Sequence, residues 1–247
     1  MLVKERNINL LGYINKKTIK GEKYGVLTGI MYLAPAELAI TAGSSATACP
    51  FASDECKALC LFTSGYGIYD RVKQARMAKT RYLLEGKKWN EVPEQDRLDS
   101  LRKNIYSLIK RAINSKMTPA IRLNGTSDYP VHTWGIMEEF NIVKFYDYTK
   151  DASRMFDYLK NKLPKNYHLT FSFSGHNWEV CESVLRRGGN VAVVFAKKLP
   201  RKYKGYNVIN GDLHDLRFLD KNNVIVGLLP KGKARRNLNS KFIIKDH

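Results

Sequence analysis

Three cysteines within twelve residues carry the densest chemistry in this 247-residue chain: Cys49-Pro50-Phe51-Ala52-Ser53-Asp54-Glu55-Cys56-Lys57-Ala58-Leu59-Cys60. In a reducing compartment such a group points to metal binding or catalysis rather than to a disulfide framework. Thiolates are soft ligands that suit zinc or iron. Zinc sites are usually closed by short C-x2-C knuckles or by histidines, and the C-x6-C-x3-C segment has neither nearby. Three cysteines at these longer spacings fit three corners of a [4Fe–4S] cluster, where each thiolate binds a different iron. A zinc site and three structural thiols in a compact turn are the alternatives.

The fourth cysteine decides what such a cluster could do. Cys181 shares a helical face with Leu185 in Trp178-Glu179-Val180-Cys181-Glu182-Ser183-Val184-Leu185, and a free cysteine among apolar neighbours is usually a small buried hydrophobe. If Cys181 stays in the core, the fourth iron is open to solvent, to a substrate, or to a side chain such as Asp128 or His176. If Cys181 ligates, the closed cluster becomes an electron carrier.

Other titratable groups fall at the ends of strand-like runs. Arg122 and Asp128 flank Asn124-Gly125, where they would hold an anion and a proton, or form a surface ion pair with each other. Lys150 ends the next run and could act as an acid or a phosphate clamp. His132 and His176 lie at helix starts, as proton carriers or as structural residues. Tyr146 and Tyr148 fall on one strand face and Asp147 on the other. The sequence has no G-x4-G-K-[ST] phosphate loop and no G-x-S-x-G elbow, so neither nucleotide binding by that route nor serine hydrolysis is expected.

The elements that must position these residues are α/β in pattern. The first 48 residues look irregular, with strand-like pieces at Tyr24–Thr28 and Leu38–Thr41. The cysteine loop spans 49–67, and helices are expected over Tyr69–Leu84 and Gln95–Ser115, joined by a polar connection from Trp89 to Asp96. The first helix carries Val72, Ala75, Ala78 and Tyr82 on its apolar stripe. Beyond them, runs at 119–123, 142–146, 168–173, 190–195, 206–209 and 223–228 alternate with helix candidates at 131–140, 153–163 and 177–187. Such alternation predicts βαβ units and a parallel sheet, here a partial or complete (βα) barrel in a single domain of residues 1–247. Polar clusters end each run, and barrel sites are built at the strands' C-terminal ends.

Lysine and arginine number 42 against 23 acidic residues, a formal charge of +19, and 13 basic against four acidic residues lie from Lys197 onward. The excess either keeps the chain soluble or attracts a polyanion, nucleic acid above all. Pro230-Lys231-Gly232-Lys233-Ala234-Arg235-Arg236 is its densest run. No apolar stretch reaches the ~20 residues of a membrane helix, and Met1–Arg6 lacks the apolar core of a signal peptide. A cytoplasmic protein without a membrane partner is expected.

Ala48-Cys49-Pro50…Cys56…Cys60, followed by Ser64-Gly65-Tyr66-Gly67 and a helix, resembles the tailed-phage gene product eighty-eight family. The resemblance extends to Arg122…Asp128 and to Tyr148-Thr149-Lys150, and covers about Tyr24 to Phe195; Leu61 departs from the usual tyrosine after the third cysteine. That family is in turn similar to radical S-adenosylmethionine enzymes, whose partial barrel holds a three-cysteine [4Fe–4S] cluster, although their C-x3-C-x2-C spacing is absent here. The resemblance implies a phage-encoded iron–sulfur protein of the infected cell's cytoplasm on such a barrel. It would be an oxidoreductase acting at an open iron near Arg122, Asp128 and Lys150, with S-adenosylmethionine as a candidate cofactor. Its partner would be a small-molecule substrate or an electron donor. The alternative is a basic nucleic-acid-binding phage protein whose metal, zinc or iron–sulfur, is structural.

Overall fold

The computed structural model describes residues 8–14, 16–44, 46–86 and 92–245. Met1–Arg6 and residues 89–91 of the polar connection lie outside them. The strands are β1 (Leu11–Gly12), β2 (Val26–Met31), β3 (Thr118–Arg122), β4 (Lys144–Thr149), β5 (Tyr167–Ser172), β6 (Asn190–Phe195), β7 (Lys202–Tyr203), β8 (Tyr206–Asn210), β9 (Ile225–Leu228) and β10 (Ile243–Ile244). The helices are α1 (Lys16–Glu22), α2 (Ala36–Thr41), α3 (Asp54–Ala58), α4 (Asp70–Thr80), α5 (Glu94–Asn114), α6 (Ile136–Glu139), α7 (Ala152–Leu159) and α8 (Trp178–Arg186).

The strands form one mixed sheet in the order β1-β2-β3-β4-β5-β6-β9-β8-β7, with β10 also pairing β6. The pairs from β2 to β6, and on through β9 to β8, are parallel, while β1 and β7 are antiparallel edges. The sheet is open: among the described residues no ladder joins β1 to β7. The α/β reading and the parallel strands are as expected; the order at the far side, where β8 lies outside β9, was not.

Side-chain alternation sorts the parallel strands into two faces. Leu27, Ile121, Phe145, Leu169, Phe171, Val191 and Val193 share one core with Leu101, Ile105 and Leu108 of α5, Met155 of α7 and Val184 and Leu185 of α8. The 3–4 spacing of Leu98, Leu101, Ile105, Leu108 and Ala112 explains why α5 forms and lies flat there. Each fully buried aliphatic side chain contributes roughly 1.5–3 kcal/mol. The opposite face is smaller and more polar. Val26, Ala120 and Tyr146 meet Leu216 there, and Phe218 packs its ring against Tyr146 and His168.

Three local expectations are corrected. Leu38–Thr41 is not a strand but the end of α2: Pro35 stands at the helix N-cap, and Ala36 and Ala39 are the buried positions. The helix expected at 131–140 divides into a 3-10 turn, Val131–Trp134, and the four-residue α6, because Gly135 sits between them at φ 70°. On α4, Ala75 and Ala78 are exposed, and the buried residues are Arg76, Met77 and Thr80.

Candidate functional site

The cysteine loop follows β2, the first strand of the parallel set, and is stitched to the C-terminal end of β3. Gly125 N–H donates to Met31 O (2.9 Å), Thr126 Oγ1 to Leu33 O (2.7 Å), and Asp128 N–H to Ala48 O (2.8 Å). Cys49 Sγ lies 3.7 Å from Thr126 O. Gly125 has to be glycine, since an added Cβ would come within 2.7 Å of Ile30 Cγ2, Met31 O and Tyr32 Cδ1. Gly125→Ala is therefore expected to cost about 1–3 kcal/mol by overpacking, read as a lower urea midpoint.

Cys56 lies on α3, whose N-cap Ser53 accepts from Cys56 N–H (3.2 Å). Cys60 ends that turn and caps the 3-10 turn Leu61–Thr63, with Thr63 Oγ1 donating to Cys60 O (2.9 Å). All three thiols are half-buried and unoxidised. They lie within electrostatic reach of one another. Burial pushes the Cys49 thiol up to about 12, and the neighbouring Cys60, Cys56 and Asp128 push the same way. Burial also raises Cys60, against the pull of Lys150 and Arg76. Among the described residues, no three or more His, Cys, Asp or Glu side chains stand close enough to enclose a single metal ion.

The basic run after β9 folds back over this loop. Lys233 N–H donates to Thr63 Oγ1 (3.2 Å), and a Cβ added at Gly232, which sits at φ 58°, would come within 2.7 Å of Thr63 Oγ1. Leu59 packs with Ala234 and Ile243, so the C-terminal segment lies on the cysteine loop and then enters the sheet as β10.

The expected site residues are not one constellation. Arg122 and Asp128 are not ion-paired with each other. Arg122 is on the polar sheet face, where its Nη1 meets Asp215 Oδ2 at 2.8 Å and its guanidinium lies 4.7 Å from the Tyr148 ring centre. Asp128 instead pairs with Arg154 and accepts Lys150 N–H at 2.8 Å. Arg154 also donates to Tyr129 O (2.9 Å) and Thr149 Oγ1 (2.8 Å). Asp128 thus ties together the cysteine loop, the end of β4 and α7. Lys150 Nζ lies 6.0 Å from the Phe242 ring and within electrostatic reach of Cys60.

Of the fourth-corner candidates, Asp128 and His176 stand at the cysteine loop, each in an ion pair, and Cys181 lies in the core. His176 Nε2 is 3.1 Å from Glu55 Oε1. Cys181 is fully buried among the residues of the helix-side core, its Sγ 3.8 Å from Asn177 Oδ1. His132 is lowered by burial, with Arg154 acting in the same direction. Sequence reasoning missed Arg76, Arg154 and Asp215, and on α4 the expected stripe pointed to Ala75 and Ala78 rather than to the buried Arg76.

Asp147 takes the face opposite Tyr146 and Tyr148 and anchors the loop after β3. Its carboxylate accepts from Asn124 N–H (2.7 Å), Asn124 Nδ2 (3.2 Å) and Tyr167 Oη (3.2 Å). Burial nevertheless pushes it up to about 7, against the pull of Arg122 and these donors. The unfolded chain releases this proton near 3.8, so the folded state binds the extra proton between pH ~4 and ~7. Unfolding free energy should therefore fall as pH rises through that window, by about 1.4 kcal/mol per pH unit at most. Asp147→Asn should remove that slope, and denaturant titrations at several pH values measure it.

A family model described as Gene product 88 matches residues 4–246. The chain belongs to the gene product 88 family. Bacteriophage origin follows from that family. The family match runs through the cysteine loop and the basic C-terminal segment alike, well beyond the span over which the motifs alone resemble the family. No curated protein and no solved structure matches the chain. Among the described residues, no helix is long and apolar enough to cross a membrane.

Proposed function

We propose that this gene product 88 protein is an iron–sulfur protein in which Cys49, Cys56 and Cys60 each ligate one iron of a [4Fe–4S] cluster, with the fourth iron facing the rim at the strands' C-terminal ends. The observation that carries this reading is the grouping of three half-buried thiols on one loop while the remaining cysteine lies in the core.

When bound, such a cluster supplies one-electron transfer and, at the open iron, a place for a small molecule. The chain's own contributions are positional. Asp128 fixes the loop against β4 and α7, the 230–236 run covers its far side, and Lys150 and Arg76 put positive charge near Cys60. The reaction class is redox chemistry on a small-molecule substrate or exchange with an electron donor, on a sheet that forms part of a (βα) barrel. S-adenosylmethionine is the first compound to try. A change in the electron paramagnetic resonance spectrum of the reduced protein on its addition would assign it the open iron, and an unchanged spectrum would remove it. Anaerobic reconstitution with iron and sulfide tests the cluster itself: brown protein with iron–sulfur charge-transfer absorption supports the reading, and colourless protein contradicts it.

A second reading has its own support. Tyr66 and Tyr69 are exposed, their ring centres 6.4 Å apart, a few residues beyond Thr63, whose hydroxyl accepts Lys233 N–H from the cationic 230–236 run. Exposed aromatic rings beside cations suit single-stranded nucleic acid, where bases stack and phosphates pair. With about four phosphate contacts, affinity for a single-stranded oligonucleotide should fall about fifty-fold between 50 and 200 mM salt, and Tyr66→Ala with Tyr69→Ala should weaken it further. Affinity that stays flat with salt removes this reading.

A further inference from the structure

Among the described residues, Arg76 has no carboxylate partner. It lies on α4, just after the cysteine loop, and is only 8% exposed. Its Nε and Nη1 have no hydrogen-bond partner among the described residues. The guanidinium lies 5.2 Å from the Tyr32 ring centre, and the groups within its electrostatic reach are Tyr32, Cys60 and Lys79. Neither a phenol nor a free thiol carries charge at neutral pH, and an ammonium adds repulsion. A guanidinium cannot escape its burial by losing a proton. Leaving such a cation nine-tenths buried and unpaired is costly, and no carboxylate among the described residues offsets that cost.

One change at this site would offset it. When a metal or cluster binds, Cys60 becomes a thiolate, and negative charge appears within reach of Arg76. We infer that Arg76 is a positioning residue for the cysteine triad, a built-in counter-ion for the thiolate charge that metal binding creates. It is not itself a ligand. The inference rests on the metal-binding reading above, but any metal that deprotonates Cys60 satisfies it.

The test compares the demetallated and the reconstituted protein in wild type, Arg76→Met and Arg76→Lys. Methionine keeps the apolar stem and removes the charge; lysine keeps the charge. In the demetallated protein, Arg76→Met should melt no lower than wild type, because an uncompensated buried cation has gone. In the reconstituted protein, the same variant should release its metal to a chelator at about ten-fold lower chelator concentration, a loss typical for a residue supporting a ligand. Arg76→Lys should restore most of that retention.

The outcomes separate the two claims. Equal loss of melting temperature in both states assigns Arg76 a packing role on Tyr32 and overturns the inference. So does unchanged metal release from Arg76→Met with an intact cluster, which leaves the cluster reading standing. Zinc without sulfide overturns the cluster but not the counter-ion, provided the charge-dependent release persists. A chain that takes up no metal overturns both.

Discussion

Serine at position 49, 56 or 60 should each abolish the iron–sulfur chromophore, while serine at position 181 should leave it in place. Losing one of three protein ligands removes a corner from a cluster with no spare thiol near it, so bound iron in each loop variant should fall to a small fraction of wild type. The variants should stay folded, because the cysteine loop is held by hydrogen bonds that do not involve sulfur: Gly125 N–H to Met31 O, Asp128 N–H to Ala48 O, and Lys233 N–H to Thr63 Oγ1. Far-UV circular dichroism of the demetallated proteins checks that control. Cys181→Ser should lose about 1–3 kcal/mol of stability, since it puts a hydroxyl among Val184, Leu185 and the sheet residues of the core. It should keep its iron. If Cys181→Ser bleached the protein and a loop variant did not, the assignment of ligands would be wrong.

The second large effect concerns Arg122, which sequence reasoning placed in catalysis. In the fold it is a buried cation paired at 2.8 Å with Asp215, both side chains about nine-tenths covered. It also donates Nε–H to Asn124 O (3.2 Å) and lies over Tyr148. Arg122→Met breaks a buried pair from one side, which typically costs 3–5 kcal/mol and should lower the urea midpoint by more than about 1 M. Arg122→Met with Asp215→Leu should recover most of that loss, because the pair is then replaced rather than split. A single variant as stable as wild type would deny Arg122 this structural role and return it to the list of candidate catalytic groups.

Much of the sheet was legible because its central strands are β-branched or aromatic runs bounded by polar clusters. Asn190–Phe195 coincides with β6, and the alternation that separates Asp147 from Tyr146 and Tyr148 holds in β4. The two-residue strands β1, β7 and β10 were not legible, since two residues carry no period. Leu38–Thr41 reads as strand through Ile40 and Thr41, yet the helix started by Pro35 prevails. The thiol loop was legible from residue type and spacing alone. Its surroundings were not, because they come from distant segments: Asp215 lies 93 residues from Arg122, and Lys233 lies 170 from Thr63. Arg76 was passed over because burial patterns are read from apolar residues, and an arginine on the buried side of α4 breaks that pattern.

Counting iron and acid-labile sulfide per chain after anaerobic reconstitution bears on the central claim more directly than any other measurement. Three thiolates on a cubane predict about four of each per chain, lost together on Cys60→Ser. One zinc per chain with no sulfide, or no bound metal at all, contradicts it.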